Sequence, residues 1–188
     1  MEYYVDKVFS EVDFADRGFE IAEYEQCQFK SCNFSGQTLN GAVFTDCGFE
    51  NCDFSMVSIQ GTAFREASFK DCKLLGMRFD RCNPFLLSFR FDQCLLDLAS
   101  FFECKIKATS FISCQLKEAD FTGADLTQAL FKNTDLTHAI FDQTNLGKAD
   151  LSTAFHFSID PQKNKLSKTR FSNNNISGLV DHLDIIID

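Results

Sequence analysis

The sequence predicts an all-β fold in which the chain winds into a four-sided coil, and two observations predict it. First, every fifth residue is large and apolar. From Phe9 the series runs Phe14, Phe19, Tyr24, Phe29, Phe34, Leu39, Phe44, Phe49, Phe54, Ile59, Phe64, Phe69, Leu74 and Phe79 without a miss, and after a two-residue slip it resumes at Leu86 and continues by fives to Leu151. Second, the position two before each centre is mostly Ala, Cys or Thr, as at Ala22, Cys27, Cys32, Cys94 and Ala119. A period of five matches neither the roughly 3.6-residue period of a helix nor the alternation of a strand. It fits a unit that reads small, polar, large, polar, polar and makes one side of a square turn. Four units then close a turn, the small and large residues point inward, and turns stack about 4.8 Å apart through main-chain hydrogen bonds. Self-similarity at a fixed short period is the mark of a solenoid.

On this frame the chain is a single domain spanning residues 1–188. It comprises a coil stack at 9–79, a break at 80–86, a second stack at 86–156, and a cap and dimerisation segment at 157–188. In the first stack Gln37 is an exception, because it puts an amide into a small inward slot where it needs hydrogen-bond partners. At the break, Asn83, Pro84 and Phe85 mark an insertion, and the bulky Met77 and Phe89 occupy the small slot on either side. Proline in a two-residue insertion predicts a bulged corner, a widened core and a coil divided in two. The bulge is read either as a tolerated kink or as a binding feature. In the second stack the centres alternate between Phe and Leu or Ile, which predicts Phe on two opposite walls.

Beyond Leu151 the repeat fades. Asn173, Asn174 and Asn175 offer helix caps, and Ile176, Leu179, Val180 and Leu183 follow at helical spacing, predicting a short amphipathic α-helix over about 175–183 that covers the open end of the core. The terminal Asp184-Ile185-Ile186-Ile187-Asp188 reads as a strand. An exposed apolar edge invites pairing, and a twofold partner supplies it. A homodimer through Ile176, Leu179, Val180, Leu183, Ile185, Ile186 and Ile187 is therefore expected.

Composition narrows the function. The 188 residues carry a net charge of −9, and residues 1–25 hold Glu2, Asp6, Glu11, Asp13, Asp16, Glu20, Glu23 and Glu25 against Lys7 and Arg17. Direct nucleic-acid binding wants a basic face and is not expected. The sequence has neither an apolar run long enough to span a membrane nor the basic start and apolar stretch of a signal peptide, so a cytoplasmic setting is expected. All nine cysteines fall in the small inward slot of the frame, which predicts wall packing rather than metal or disulfide chemistry. His138, His156 and His182 are scattered, and no Gly-rich phosphate loop is present. No cofactor and no enzymatic activity are expected.

The units Ala119-Asp120-Phe121-Thr122-Gly123, Ala124-Asp125-Leu126-Thr127-Gln128 and Ala149-Asp150-Leu151-Ser152-Thr153 resemble the pentapeptide-repeat family, whose consensus is A-[DN]-L-x-x. The resemblance covers about residues 9–156 and implies a right-handed quadrilateral β-helix. The tail is similar to that of the Qnr-type and MfpA-type members, which dimerise there, resemble duplex DNA in shape and charge, and engage DNA gyrase and topoisomerase IV. This resemblance implies a DNA-mimicking partner of a bacterial type II topoisomerase that modulates it or protects it from quinolones. Asp13, Asp16, Glu20, Glu23, Glu25, Asp46 and Glu66 are the candidate acidic contact surface. The Qnr-type members often carry two longer loops, whereas this chain has only the short break and looks more like the loopless members. The alternative is an interaction scaffold for another protein, with the acidic surface serving solubility.

Overall fold

The computed structural model describes residues 1–183 and 185. The chain forms an all-β solenoid of parallel strands with little helix. One sheet stacks Tyr3–Val5, Glu23–Glu25, Val43–Thr45 and Ala63–Arg65. The second stacks seven strands, from Val8–Ser10 through Gln28–Lys30, Gly48–Glu50, Ala67–Lys70, Phe89–Asp92 and Ser110–Ile112 to Leu130–Lys132. Two further columns are built from single parallel bridges, such as Asp13↔Asn33↔Asp53↔Lys73 and Ser100↔Asp120↔Ile140. Partners lie 20 residues apart in sequence, as in Tyr4↔Tyr24↔Phe44↔Phe64. The five-residue period is thus one side of a four-sided turn.

The apolar centres meet as stacked ladders. Phe34 and Phe54 lie ring on ring at 4.7 Å, Phe29 and Phe49 at 5.0 Å, and Phe49 and Phe69 at 4.8 Å. Rings on adjacent sides meet edge to face, as Phe49 and Phe54 do at 5.4 Å. Both geometries suit the ring quadrupole. In the second half, Phe91, Phe111 and Phe131 line one wall and Phe101, Phe121 and Phe141 the opposite one.

All nine cysteines are free and buried, and their slot has a reason beyond size. Cys47 Sγ donates to the Tyr24 carbonyl at 3.3 Å, Cys52 to Phe29 at 3.3 Å and Cys72 to Phe49 at 3.4 Å. Thr62, Thr134 and Thr144 donate their hydroxyls to the corresponding carbonyls of the turn below at 2.7–2.9 Å. Cysteine and threonine are therefore interchangeable here as small side chains that carry a donor toward a main-chain acceptor. Burial pushes the Cys47 thiol up to about 12, which suppresses its nucleophilicity at neutral pH.

The structure corrects the frame in four places. Leu86 is not an inward centre: it is 63% exposed, and Leu87, at 9%, takes its place in the core beside the buried Met77 and Phe89. The reason is the insertion, which shifts the inward register by one residue before Phe89 restores it. The coil also does not divide there, because the seven-stranded sheet runs straight through the break. Its register simply changes from 20 to 22, with Phe69 opposite Phe91 and Lys73 opposite Leu95. After Leu151 the buried apolar residues are Ala154, Phe157 and Ile159, while His156, where the five-residue count puts the next centre, is exposed. Finally, the expected α-helix at 175–183 is a single 3₁₀ turn at Ile176–Leu179.

That last difference follows from the fit of the segment to the coil end. The Asn175 amide donates to the Leu151 and Ala154 carbonyls at 2.8 and 2.9 Å, and its oxygen accepts from the Ser172 amide. Asn175 therefore satisfies the end of the ladder instead of capping a helix. Gly178 presses so close that a Cβ would sit 2.4 Å from the Phe157 carbonyl oxygen. The predicted strand at 184–188 lies outside the described residues, except for Ile185, which is exposed.

One feature went unforeseen. A four-residue helix, Phe14–Arg17, is capped by Asp13, whose carboxylate accepts the Ala15 amide at 2.9 Å. Gln37, expected to need a hydrogen-bond partner, is half-buried and its side-chain oxygen accepts from the Phe19 amide at 3.2 Å, which ties the exit of that helix to the next turn.

Candidate protein-interaction surface

The break builds the most distinctive surface of the coil. At Phe79–Arg81 the chain makes a 3₁₀ turn, which places Asp80 between two guanidinium groups. Arg78 donates to both Asp80 oxygens at 2.8 and 2.7 Å, and Arg81 Nε lies 3.4 Å away. Burial alone would raise the Asp80 carboxyl. Hydrogen bonds from Arg78 and Ser100, and the charges of Arg78 and Arg81, outweigh it and hold the carboxyl below its ordinary value. A carboxylate depressed in the folded state stabilises fully above its unfolded value, near pH 4, and loses that contribution as pH falls through the folded value. Thermal melts of wild type and Asp80→Asn should therefore differ at neutral pH and converge below about pH 4. A difference independent of pH would show that the charge is not what Asp80 contributes.

Beyond Arg81 the loop leaves the ladder. Asn83 is half-buried; its amide donates to the Thr62 carbonyl at 2.9 Å and its side-chain oxygen accepts from the Phe85 amide at 2.9 Å. Pro84 and Phe85 project outward, with the Arg65 guanidinium 5.8 Å from the Phe85 ring centre. The departure opens a groove of about 940 Å³ between this loop and the following turn, with Arg78, Arg81 and Pro84 facing Leu98, Phe102 and Lys105. Cys82 and Cys104 also line it. Burial raises both thiols, so the groove holds no activated nucleophile.

The seven acidic candidates do not form one patch. Glu23 and Glu25 lie on the four-stranded sheet, and Asp46 and Glu66 sit at the corner that follows its next two strands. Glu20 accepts the Tyr4 hydroxyl at 2.6 Å, and Glu25 accepts that of Tyr3. Glu66 is paired with Arg90 at 3.3 Å. Asp13 caps the short helix and Asp16 lies within it, in a different column. Further along the coil, carboxylates meet cations across turns, as in Asp53–Lys73 and Asp150–Arg170 at 3.2 and 3.1 Å.

At the C-terminal end, Ile176, Leu183 and Ile185 are exposed, while Leu179 packs partly on the core and Val180 is half-buried. A concavity lined by Pro161, Ile176, Leu179 and Val180 lies there. Ile186 and Ile187 are outside the described residues. Among the described residues no cluster of three metal-ligating side chains occurs, and no helix is long and apolar enough to cross a membrane.

Sequence reasoning missed Met56, Leu98 and Phe102, which are large, apolar and exposed. Their signal was available, because they occupy outward positions of a frame that is otherwise mostly polar there.

Comparison with known proteins places this architecture. Two models of pentapeptide repeats match, one over residues 25–73 and the other over 114–152. The chain is a pentapeptide-repeat protein. Among solved structures, a trypsin-treated point variant of QnrB1, described as a plasmid-mediated fluoroquinolone resistance protein, is 16% identical, with 100% of both chains covered and a TM-score of 0.65. A second trypsin-treated point variant of the same protein is 17% identical, covering 99% of this chain and 98% of that one, also with a TM-score of 0.65. HetL from the cyanobacterium Nostoc, involved in heterocyst differentiation regulation, is 16% identical over 91% of this chain and 87% of its own, with a TM-score of 0.31. No curated protein matches.

Proposed function

We propose that this protein is a non-enzymatic, cytoplasmic, DNA-mimicking partner of a bacterial type II topoisomerase, DNA gyrase or topoisomerase IV, and that it modulates the enzyme or shields it from inhibitors such as quinolones. The observation that carries this reading is the net charge of −9 on a regular rod, with acids concentrated in the first turns. A rigid array of carboxylates can occupy a groove built for phosphates. The likeness of fold to a trypsin-treated QnrB1, a fluoroquinolone resistance protein, over the whole of both chains supports it. On this reading Glu23, Glu25 and Asp46 face the partner, and a right-handed quadrilateral coil doubled at its C-terminal end supplies the length. A gyrase supercoiling assay tests it: the protein should inhibit supercoiling or counter a quinolone, with binding that weakens as salt rises. No effect and no binding at low salt would remove the proposal.

A second reading, a scaffold for another protein, is favoured by one observation. Residues 65–90 carry Arg65, Lys70, Lys73, Arg78, Arg81 and Arg90 against only Glu66, Asp71 and Asp80. This basic zone interrupts the acidic surface that mimicry requires.

A further inference from the structure

We infer that the groove at the break is a docking site for an extended segment of a protein partner that presents an acidic side chain next to a large apolar one. The inference does not rest on the topoisomerase reading.

Three independent features converge on this site. The first is the choice of residue at the left-handed corners. Residues at positive φ on the coil corners are mostly polar, such as Asp6, Gln26, Asn51 and Asp71, as expected for a conformation that Asn and Asp tolerate best among non-glycine residues. Leu86 and Leu98, like Met56 on an earlier turn, hold positive φ (58° and 62° for the leucines) with their side chains in solvent. A leucine there exposes apolar surface where most other corners expose polar side chains, and exposed apolar surface gathered in one place marks an interaction site. The second is geometry: Leu98 lines the groove with Phe102 and Pro84, and the exposed Phe85 and Leu86 belong to the loop on its opposite side.

The third is charge. Four of the chain's six arginines, Arg65, Arg78, Arg81 and Arg90, lie within the basic zone around the break. Arg78 and Arg81 share the single carboxylate of Asp80 and keep about half of their side-chain surface exposed (54% and 57%). Two guanidinium groups on one carboxylate leave positive charge, with unused fork donors, at the groove's rim. An acidic side chain of the partner meets that rim while its apolar neighbour covers Leu98 and Phe102. Beyond that rim the groove is also lined by Glu103 and Asp120, the latter in the same column as Arg78 through Ser100, and these carboxylates would repel a continuous phosphate chain. The occupant is therefore a peptide rather than a nucleic acid.

The test is selection of a random linear peptide library, displayed on phage, against the intact protein, followed by anisotropy with the enriched peptide. Enriched sequences should place Asp or Glu beside Phe, Leu or Trp. Arg81→Glu should weaken binding at least about tenfold, on the scale of truncating an interfacial hot spot. Leu98→Asn should weaken it comparably while leaving the melting temperature equal or higher, since Asn suits the left-handed corner. That pairing separates lost binding from lost folding. No enrichment, enrichment of neutral or basic peptides, indifference to both substitutions, or tighter binding of oligothymidylate than of the peptide would each overturn the inference.

Discussion

Phe54→Ala is expected to lower the free energy of unfolding by about 3–5 kcal/mol, the range for removing a buried aromatic ring. Phe54 is fully buried. It stacks on Phe34 at 4.7 Å and takes the edges of Phe49 and Phe69 at 5.4 and 5.7 Å, so the substitution removes three aromatic contacts along with the buried area. The cavity cannot close easily. Main-chain bonds hold the turns above and below in place, as between the Phe54 amide and the Lys73 carbonyl at 2.9 Å. The effect should also be felt along the rod, because each repeat is stabilised by its neighbours. Glu50→Ala, only four residues away in sequence, is expected to stay within about 0.5 kcal/mol. Glu50 points into solvent and pairs with Lys70 at 3.5 Å, both side chains being about half exposed (48% and 52%), and such pairs contribute little. Urea unfolding of both variants checks the frame, and equal losses would contradict it.

The difference between those two residues was legible in the sequence because the solenoid repeats one environment. Each inward position is tested many times along the chain, so Phe54, Cys52 and Ala119 declare their roles by spacing alone. The same redundancy placed the Phe walls of the second half. What the spacing could not give is the outcome where the repeat is interrupted. At the break, a two-residue insertion can be absorbed by any residue between Phe79 and Phe91, and packing chose Leu87 over Leu86 as the inward side chain. At the C-terminus, the spacing of Ile176, Leu179, Val180 and Leu183 suits a helix, but local propensity lost to two tertiary demands. The carbonyls of Leu151 and Ala154 needed the Asn175 amide, and Gly178 had to lie against Phe157. The candidate surfaces were half visible. Acidic residues could be counted, but their distribution over several columns depends on which corner each occupies. The groove arises from a loop leaving the ladder, which no one-dimensional pattern encodes.

The assembly proposed for the C-terminal end leads to the largest functional effect. Ile176→Asp combined with Leu183→Asp should convert a dimer into a folded monomer and abolish any effect on a topoisomerase. Ile176 and Leu183 are exposed in the protomer, unlike Leu179, which packs partly on the core. Replacing them therefore removes little intramolecular packing, and the melting curve of the coil itself should survive. In an apolar interface between two copies, the same carboxylates would have to be buried without partners, at a cost of several kcal/mol each. In a twofold arrangement every substitution acts twice, which makes the loss of assembly close to complete. Light scattering on the intact chain should give the mass of two chains, and on the double variant the mass of one. A monomeric intact chain would refute the assembly. A monomeric variant that still acts on supercoiling would separate assembly from function, and would show that one rod, not a doubled one, is the unit the partner recognises.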